Sequence, residues 1–573
     1  MRNLLELICP QPEVTNKTTC GFNLVKKYFL TCQKRFLKLR NEINLLFLEK
    51  NLMKRREFVR AAGVGAALMA LNSSSIYSNL IGLKRDALPN IILVLTDDQG
   101  YGDAGCYNPE SLIPTPNIDK LAKEGIRFTD AHSPAAVCTP TRYGLLTGRY
   151  CWRTWLKRGV VGGYTPSLIE PERETLATLL KKKQYKCGFF GKWHLGLNWT
   201  RANGFRPTWK DGERLYRGSW QDASPETGMN VDFSKPVSGG PLDHGFDYAF
   251  FTAACSGMDG PFTFIVGDRV KEIPTHKISE YYDMSLGEEG SPRPGWAAPD
   301  FKIEKVDVEF TREAIDFIKR SLSESTGKPF FVELCLSSPH TPWLPPDFVK
   351  GKSGDGPRGD LVVLADWCLG EVMKILAELK IEDKTIVIFA SDNGPHPGIK
   401  GHKSAGPWRG YKTHIWEGGH RVPFIVRWPG RIKPGSVSDE PICLTDMMAT
   451  FASLAGLKLS PEAGPDSYDI SPAIFGEKYK KPIREALVFQ SEDGTLAIRQ
   501  GEWKLVLDNQ TSGGWMPPEG KPPKPGSPGQ LYNLKDDPYE QNNLWNEKPE
   551  VVDHLKKLLE LYQREGRSAP VRG

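Results

Sequence analysis

The stretch Ile91-Ile92-Leu93-Val94-Leu95-Thr96-Asp97-Asp98 decides the fold class of this chain. Five consecutive apolar residues, three of them β-branched, are typical of a short strand that is buried on both faces. Such strands belong to parallel sheets that are covered by helices. Ligands bind at the carboxyl ends of strands in open α/β sheets, so Asp97 and Asp98 are candidate site residues.

Three further apolar runs end in polar side chains. They are residues 385–390, followed by Asp392 and Asn393; residues 330–336, followed by His340; and residues 187–190, followed by Lys192 and His194. Helical patterns lie between these runs, at residues 117–124, 174–182, 306–321 and 360–379. This alternation predicts a mainly parallel sheet in which the four strand ends converge on one site.

The chain has 573 residues, which is longer than one core usually fills. We expect a catalytic domain at residues 88–430 and a smaller subdomain at residues 431–573. The second part has strand patterns at residues 486–489, 495–499 and 503–507, a Pro/Gly-rich loop at 513–529 and an amphipathic helix at 551–562. Residues 200–305 lack a clear period and are predicted to form long loops over the sheet. The predicted fold class is α/β: a large mainly parallel or mixed sheet flanked by helices, with a smaller C-terminal antiparallel sheet plus helix.

The positive charge of the chain is concentrated at its N-terminus. Of the formal net charge of +6, residues 1–52 carry +5 and residues 53–75 carry +3, which leaves about −2 for the remainder. This distribution argues against a nucleic-acid partner. Residues 53–75 combine paired arginines with a short apolar run and a polar exit, which predicts a twin-arginine-like export signal.

A basic amphipathic surface helix is the alternative interpretation of residues 53–75. Residues 1–52 fit neither pattern and are interpreted as a gene-model extension or a disordered leader. We therefore expect an exported protein, periplasmic or extracellular, with no stable membrane insertion once the signal is removed.

Side-chain oxygens at two of the predicted strand ends indicate a metal site. Asp97, Asp98 and Asp392 would repel one another when brought together, and a cation offsets that repulsion. With Asn393 they form an all-oxygen set, which suits a hard divalent ion, and calcium tolerates irregular geometry better than magnesium does. Loop-end residues that only cap turns are the alternative. The eleven cysteines show no CxxC spacing, so neither a zinc site nor a disulfide framework is predicted.

Cys138 opens the segment Cys138-Thr139-Pro140-Thr141-Arg142, which leads into Leu145-Leu146-Thr147-Gly148-Arg149. Pro140 suits the first turn of a helix and Gly148 its C-terminal cap, so Cys138 is predicted just before a helix N-terminus. Free backbone amides and the helix dipole favour a negative charge there. The ordinary role of a single cysteine, a small buried hydrophobe, is the alternative.

The motif C-x-P-x-R followed by L-T-G-R resembles the signature of type I, formylglycine-dependent sulfatases, which are arylsulfatase-like members of the alkaline phosphatase superfamily. Further segments match the family in the same order between about residue 89 and residue 544. They are residues 96–103, 191–196, 338–342 and 391–394, Lys412 with 416–419, and a tail at 531–534, 537–538 and 543–544.

This resemblance implies that Cys138 is oxidised to formylglycine and that one calcium ion is bound by Asp97, Asp98, Asp392, Asn393 and residue 138. It also implies catalytic roles. Arg142 would hold the hydrated aldehyde, Asp392 would accept the attacking proton, and Lys192 and Lys412 would bind sulfate oxygens. His340 would protonate the leaving oxygen, and His194 would take a proton during sulfate release. His244 matches a stretch near the family's substrate pocket, although a turn role explains it equally well. His396, His402, His414 and His420 cluster in sequence without metal-ligand spacing.

The function that follows is hydrolysis of sulfate monoesters, with sulfated carbohydrates as the expected substrates. A formylglycine-dependent phosphodiesterase or phosphonate monoesterase is the first alternative, and a noncatalytic calcium-containing glycan-binding protein is the second. Maturation would require a partner, either a formylglycine-generating or an anaerobic sulfatase-maturating enzyme.

Overall fold

The computed structural model describes residues 88–222, 224–324, 327–399, 401–509 and 526–572. The predicted leader at residues 1–52, the predicted export signal at 53–75 and most of the predicted loop at 513–529 lie outside the described residues.

The described residues form strands and helices that we number in chain order. The strands are β1 (Asn90–Thr96), β2 (Ile126–Phe128), β3 (Ala131–His132), β4 (Lys186–Lys192), β5 (Tyr248–Thr252), β6 (Ile265–Val266), β7 (Arg269–Val270), β8 (His276–Lys277), β9 (Trp296–Ala297), β10 (Phe330–Cys335), β11 (Thr385–Ser391), β12 (Phe424–Arg427), β13 (Ser436–Ser438), β14 (Ile442–Cys443), β15 (Leu487–Gln490), β16 (Leu496–Gln500), β17 (Trp503–Val506) and β18 (Gln530–Asn533). The α-helices are α1 (Pro116–Glu124), α2 (Cys138–Thr147), α3 (Leu176–Lys181), α4 (Gly212–Leu215), α5 (Ser219–Asp222), α6 (Pro225–Met229), α7 (Gly287–Gly290), α8 (Val306–Glu324), α9 (Gly356–Glu378), α10 (Glu417–His420), α11 (Met447–Leu454), α12 (Ser471–Ile474) and α13 (Pro549–Arg564).

The main sheet has ten strands in the order β13-β2-β12-β11-β1-β10-β4-β5-β6-β7. Strands β11, β1, β10, β4 and β5 run parallel to one another, and antiparallel pairings extend the sheet on both sides. In the register of the central strands, Leu95 lies opposite both Ala390 and Cys335. The polar residues that follow these strands therefore meet at one edge, as the sequence predicts.

Both faces of the central strands are buried, which explains their unbroken apolar sequence. All seven residues of β1 are buried. Ile92 and Val94 belong to the core that includes the apolar sides of α8 and α9, whereas Leu93 and Leu95 belong to the core that includes α3 and α11. Helices thus cover the sheet on both faces, and the α/β fold class is confirmed.

A small antiparallel sheet of β15, β16, β17 and β18 follows near the C-terminus. Helix α13 packs Val552, Leu555 and Leu559 into one core with the buried residues of that sheet, such as Ile498 and Leu505. The predicted antiparallel sheet with a closing helix is therefore present. The domain boundary at residue 430 stays a prediction.

The prediction for residues 200–305 was wrong in one respect. Strand β5 lies within this segment and pairs in parallel with β4 in the main sheet, so the segment does not only cover the sheet but extends it. Its sequence, Tyr-Ala-Phe-Phe-Thr, is five residues long and is too short for a clear period. Tertiary pairing therefore decides its conformation.

Among the residues that the structure describes, no helix combines the length and the apolarity that a membrane crossing requires.

Candidate active site

Two strand ends bring four oxygen-bearing side chains together. Asp97 and Asp98 follow β1, and Asp392 and Asn393 follow β11. The backbone N–H of Asp392 donates to the carbonyl of Thr96 at 3.0 Å, and the backbone N–H of Asp98 donates to Oδ1 of Asp392 at 3.3 Å. All four side chains are buried. Asp98 has a φ of 65°, a conformation that is unusual outside glycine and that is often found at functional sites.

Cys138 is the first residue of α2, whereas the sequence placed it just before the helix, so the predicted helix start is confirmed to within one residue. The preceding Val137 is extended, and Gly148 ends the helix with a φ of 64°, as a C-terminal cap requires. The side chain of Cys138 is buried, and its Sγ lies 3.6 Å from Oδ1 of Asp97. The nucleophile position thus combines a helix N-terminus with a carboxylate pair.

Arg142 lies one helical turn after Cys138 and links two parts of the site. Its Nε and Nη2 both donate to Oδ2 of Asp392, at 3.0 and 2.7 Å, and its Nη1 donates to the carbonyl of Lys192 at 2.9 Å. Burial lowers the pKa of Arg142, but the Asp392 and Asp97 carboxylates more than compensate and raise it. The guanidinium therefore stays charged inside the protein.

Two buried lysines face the Asp97–Asp98 pair. Lys192 Nζ donates to Asp97 Oδ2 at 2.5 Å, and Lys412 Nζ donates to Asp98 Oδ2 at 2.7 Å. Burial lowers the pKa of each lysine, but the paired carboxylates raise both pKa values above the ordinary range. Burial conversely raises the pKa of Asp97, and Lys192 leads the opposing charges that hold it below its usual value.

His340 lies beside the carboxylates with its ring hydrogen-bonded to the backbone. Its Nδ1 lies 2.6 Å from the carbonyl oxygen of Thr341. Because a carbonyl can only accept, Nδ1 is the donor, and a second ring proton would be carried by Nε2. That nitrogen lies 3.8 Å from Asp98 Oδ2 and 3.6 Å from Cys255 Sγ. Burial and Lys412 lower the pKa of His340, whereas Asp98 and Asp97 raise it, and the net direction is upward.

His194 is arranged as a neutral base. Its Nε2 donates to the carbonyl of Val161 at 2.8 Å, which leaves the lone pair on Nδ1. Burial and the Lys192 charge lower its pKa. A ring nitrogen of His194 lies within 4.8 Å of both Cys138 Sγ and Cys255 Sγ. Its backbone φ of 55° is a further strained conformation at the site.

The residues present fit a hard divalent cation. Asn393 Oδ1 is buried and has no hydrogen-bond partner among the described residues, while its Nδ2 donates to Asp98 Oδ1 at 2.7 Å. Three carboxylates and this amide oxygen form an all-oxygen donor set. Ligand atoms of Asp97, Asp98, Cys138 and His340 also lie within 4.8 Å of one another.

Cys255 was missed by the sequence analysis. It follows β5, and its Sγ lies between the two catalytic histidine candidates, 3.8 Å from His194 Nδ1 and 3.6 Å from His340 Nε2. The only signal in the sequence was the polar end of the β5 strand. Because that strand was predicted as loop, the cysteine at its end was not assigned to the site.

His244 does not join the carboxylates. Its ring stacks on Trp193 with centroids 6.1 Å apart and an interplanar angle of 17°, and neither ring nitrogen has a hydrogen-bond partner among the described residues. It lines a separate cleft with Trp209 and Lys210. Its substrate-binding role stays a prediction.

The four clustered histidines have different surroundings. His396 lies edge-on to Trp343 with ring centroids 5.9 Å apart. Burial lowers the pKa of His396 to about 3, and the Asp98 carboxylate opposes that shift. His402 pairs with Asp103, His414 accepts from the backbone N–H of Tyr411, and His420 contacts His132.

His132, Glu417 and His420 form a second group of side chains of the types that bind metals. The ammonium group of Lys504 contacts two of them. Lys504 Nζ, on β17, lies 3.0 Å from Glu417 Oε1, 3.0 Å from His420 Nε2 and 2.9 Å from Glu540 Oε1. We call Lys504, Glu417, His420 and Glu540 the Lys504 cluster. It joins the small antiparallel sheet to helix α10 by buried charges.

Comparisons with known proteins identify the family of the chain. A family model described as Sulfatase matches residues 89–457. N-acetylgalactosamine-6-O-sulfatase of Bacteroides thetaiotaomicron is 34% identical over 82% of this chain and 92% of that protein. Arylsulfatase A of Homo sapiens is 30% identical over 82% of this chain and 87% of that protein.

Solved sulfatase structures superpose on this chain. A sulfatase structure described under the metabolism of multiple glycosaminoglycans by Bacteroides thetaiotaomicron superposes with a TM-score of 0.69 at 30% identity, covering 84% of this chain and 100% of that one. The PsFucS1 sulfatase from Pseudoalteromonas sp. superposes with a TM-score of 0.61 at 25% identity, covering 87% and 94%. The chain therefore belongs to the sulfatase family, with the alkaline phosphatase-like fold, and is a sulfuric ester hydrolase.

Proposed function

We propose that this protein hydrolyses sulfate monoesters of carbohydrates, with formylglycine made from Cys138 as nucleophile and one calcium ion. The observation that carries the proposal is the placement of Cys138, at a helix N-terminus, 3.6 Å from the carboxylate of Asp97. Asp97, Asp98, Asp392 and Asn393 would hold the ion. When bound, calcium would polarise the sulfate, and the oxidised residue 138 would supply the attacking oxygen.

Two lysines would recognise the sulfate group. The ammonium group of Lys192 contacts Asp97 and that of Lys412 contacts Asp98, and both lysines are almost completely buried. Point charges with rotatable donors suit a tetrahedral anion whose geometry changes during reaction. Arg142 instead holds Asp392 in a fixed orientation, which keeps the donor set together before substrate arrives.

The two histidines divide the proton transfers. His340 would donate the Nε2 proton to the leaving alcohol oxygen as its bond to sulfur breaks. His194 would accept, at Nδ1, a proton from an oxygen on residue 138 during sulfate release. The hydrogen bonds support this division, because the Thr341 carbonyl leaves Nε2 of His340 to face the site and the Val161 carbonyl leaves the lone pair of His194 on Nδ1.

Sulfated N-acetylgalactosamine is our first candidate for the substrate. The support is the Bacteroides thetaiotaomicron relative, which is an N-acetylgalactosamine-6-O-sulfatase and matches most of both chains. We therefore propose a 6-O-sulfated N-acetylgalactosamine residue of a glycan, ahead of a steroid or a simple aryl sulfate. The calcium ion is proposed on the chemistry of the donor set.

We also propose that the protein is exported to the periplasm or the cell exterior, and that a formylglycine-generating or anaerobic sulfatase-maturating enzyme modifies Cys138 before export. The signal-like residues 53–75 support this order, because the twin-arginine route carries folded proteins. Cell fractionation with N-terminal sequencing tests it, and a mature protein that stays in the cytoplasm would contradict it.

The central experiment combines mass spectrometry with turnover. Protein co-produced with a maturase should show formylglycine in the peptide that contains residue 138, and it should release sulfate from N-acetylgalactosamine 6-sulfate faster than from the 4-sulfate. Cys138→Ala serves as the control and should be inactive. Faster hydrolysis of an aryl phosphonate than of the matching aryl sulfate would favour the phosphonate monoesterase alternative. An unmodified thiol without turnover in protein from its natural host would favour the noncatalytic one.

A further inference from the structure

Asp307 is a buried carboxylate near the start of helix α8 that the proposed chemistry does not use. Its Oδ1 accepts the backbone N–H of Ser337 at 2.7 Å, and its Oδ2 accepts the backbone N–H of Ser338 at 2.9 Å. Both oxygens of the carboxyl group thus act as acceptors for backbone amides. Asp307 therefore fixes two consecutive peptide units that lie about 30 residues away in sequence.

Those two peptide units lead directly to His340. The backbone N–H of His340 donates to the carbonyl of Ser337 at 3.0 Å, so the segment forms a tight turn. The carbonyl of Ser338 accepts the backbone N–H of Asp97 at 3.1 Å. A displacement of this turn would therefore move the imidazole of His340 relative to the carboxylates at the end of β1.

We propose that Asp307 is a positioning residue for His340, and that it acts through the backbone of Ser337 and Ser338. The inference rests on the proposed function, in which His340 donates a proton from Nε2 to the leaving oxygen. The Nε2 atom must then lie within hydrogen-bond reach of that oxygen, and the turn that Asp307 holds sets where Nε2 lies. Asp307 itself contacts neither His340 nor the nucleophile position in the described hydrogen-bond network.

Leaving-group acidity tests this role. Nitrophenolate leaves readily without a proton, whereas phenolate depends more on a general acid, so the two esters separate proton donation from the remaining chemistry. We expect Asp307→Asn to lower kcat/KM for phenyl sulfate by about tenfold more than for 4-nitrophenyl sulfate, as a partial loss of general-acid catalysis would. Asn keeps the side-chain volume but turns an N–H₂ group toward one of the backbone donors. An equal loss on both esters, or no loss, would overturn the proposal.

Asp366→Asn is a matched control. Asp366, on α9, is also buried and accepts two consecutive backbone N–H groups, those of Asn117 at 2.9 Å and Ile118 at 2.8 Å, but it holds the start of α1 instead of the His340 turn. This variant should change kcat/KM for the two esters by the same factor. A selective loss in Asp366→Asn as large as that in Asp307→Asn would also overturn the proposal.

The ratio of the kcat/KM values for the two esters is measured on one enzyme preparation, so the fraction of unfolded protein cancels. If Asp307→Asn yields no folded protein, Asp307→Glu, which keeps the charge but displaces the carboxylate, should show the same selectivity, and an unchanged ratio there would count against the proposal. A mature wild-type protein inactive on both esters and on N-acetylgalactosamine 6-sulfate would instead overturn the proposed function. An active wild type with unchanged ratios in the variants would overturn only the role of Asp307.

Discussion

Arg142 and Asp392 form a buried ion pair in which Nε and Nη2 of the arginine donate to the same oxygen, Oδ2, at 3.0 and 2.7 Å. This pair joins helix α2, which begins at the nucleophile position, to the end of β11, which carries two of the proposed calcium ligands. The orientation of the donor set therefore depends on a planar guanidinium. A lysine cannot reproduce it.

Arg142→Lys should reduce kcat/KM for 4-nitrophenyl sulfate by about a hundredfold or more, because small displacements of catalytic groups cost that much. It should also lose about 1.5–3 kcal/mol in the free energy of unfolding for the missing charge-assisted hydrogen bond. Arg153→Lys is the control: Arg153 makes a two-point pair with Asp466 at 2.8 Å through each nitrogen, outside the carboxylate cluster. It should show a similar loss of stability but retain activity within about threefold.

Mass spectrometry of residue 138 in both variants separates failed maturation from failed catalysis. Full activity in mature Arg142→Lys would contradict the positioning argument.

Removal of the proposed calcium ion should lower the thermal unfolding midpoint. Without the ion, only Lys192, Lys412 and Arg142 offset the repulsion among the three carboxylates. Ligand binding to the folded state contributes about 2.7 kcal/mol at a hundredfold excess over Kd. We expect chelation to lower Tm and abolish turnover, and added Ca²⁺ to restore both more effectively than Mg²⁺ does. Asp98→Asn should show no calcium-dependent shift in Tm. A wild-type Tm that is insensitive to chelator and to Ca²⁺ would refute the site.

Lys504→Met should destabilise the fold by about 3–5 kcal/mol, because it leaves the buried carboxylate of Glu540 without its cation and leaves Glu417 with Arg421 alone. Urea denaturation measures this loss. Lys535→Met, an exposed change after β18, should stay within about 0.5 kcal/mol of the wild type. Equal effects of the two substitutions would mean that the Lys504 cluster does not hold the small sheet to α10.

His244→Phe should make stability less dependent on pH. Burial lowers the pKa of His244 from 6.5 to about 4, so the unfolded chain binds a proton between these values that the folded protein does not bind. Wild-type stability from this group is therefore complete above pH 6.5 and falls as the pH decreases toward 4, by at most about 3 kcal/mol. Phenylalanine keeps a ring against Trp193 and removes both ring nitrogens, which lack hydrogen-bond partners within the described part of the chain.

Thermal unfolding at pH 7 and pH 4.5 checks this expectation, since the difference in Tm between the two pH values should shrink in the variant. An identical pH dependence in both proteins would contradict it. The same variant tests the predicted substrate role, because a KM about tenfold higher with normal stability would support contact between His244 and substrate.

The sequence by itself determined the central strands of the sheet and the polar residues that follow them. β1 and β11 are apolar runs that end in carboxylates, so their strand character and the location of Asp97 and Asp392 follow from local pattern. The start of α2 at Cys138 followed in the same way from Pro140 and Gly148. These features depend on residues that are neighbours along the chain.

Only the tertiary structure decided how the site is held and which histidine carries which proton. The Val161 carbonyl selects the tautomer of His194, the Thr341 carbonyl orients His340, and Asp307 fixes the turn beside it. Strand β5, and with it the position of Cys255, likewise depends on pairing with β4. Most of these contacts join residues far apart in sequence, and all of them depend on how the folded chain orients individual groups. Local propensity therefore does not predict these contacts, which form only once the sheet and its loops have assembled.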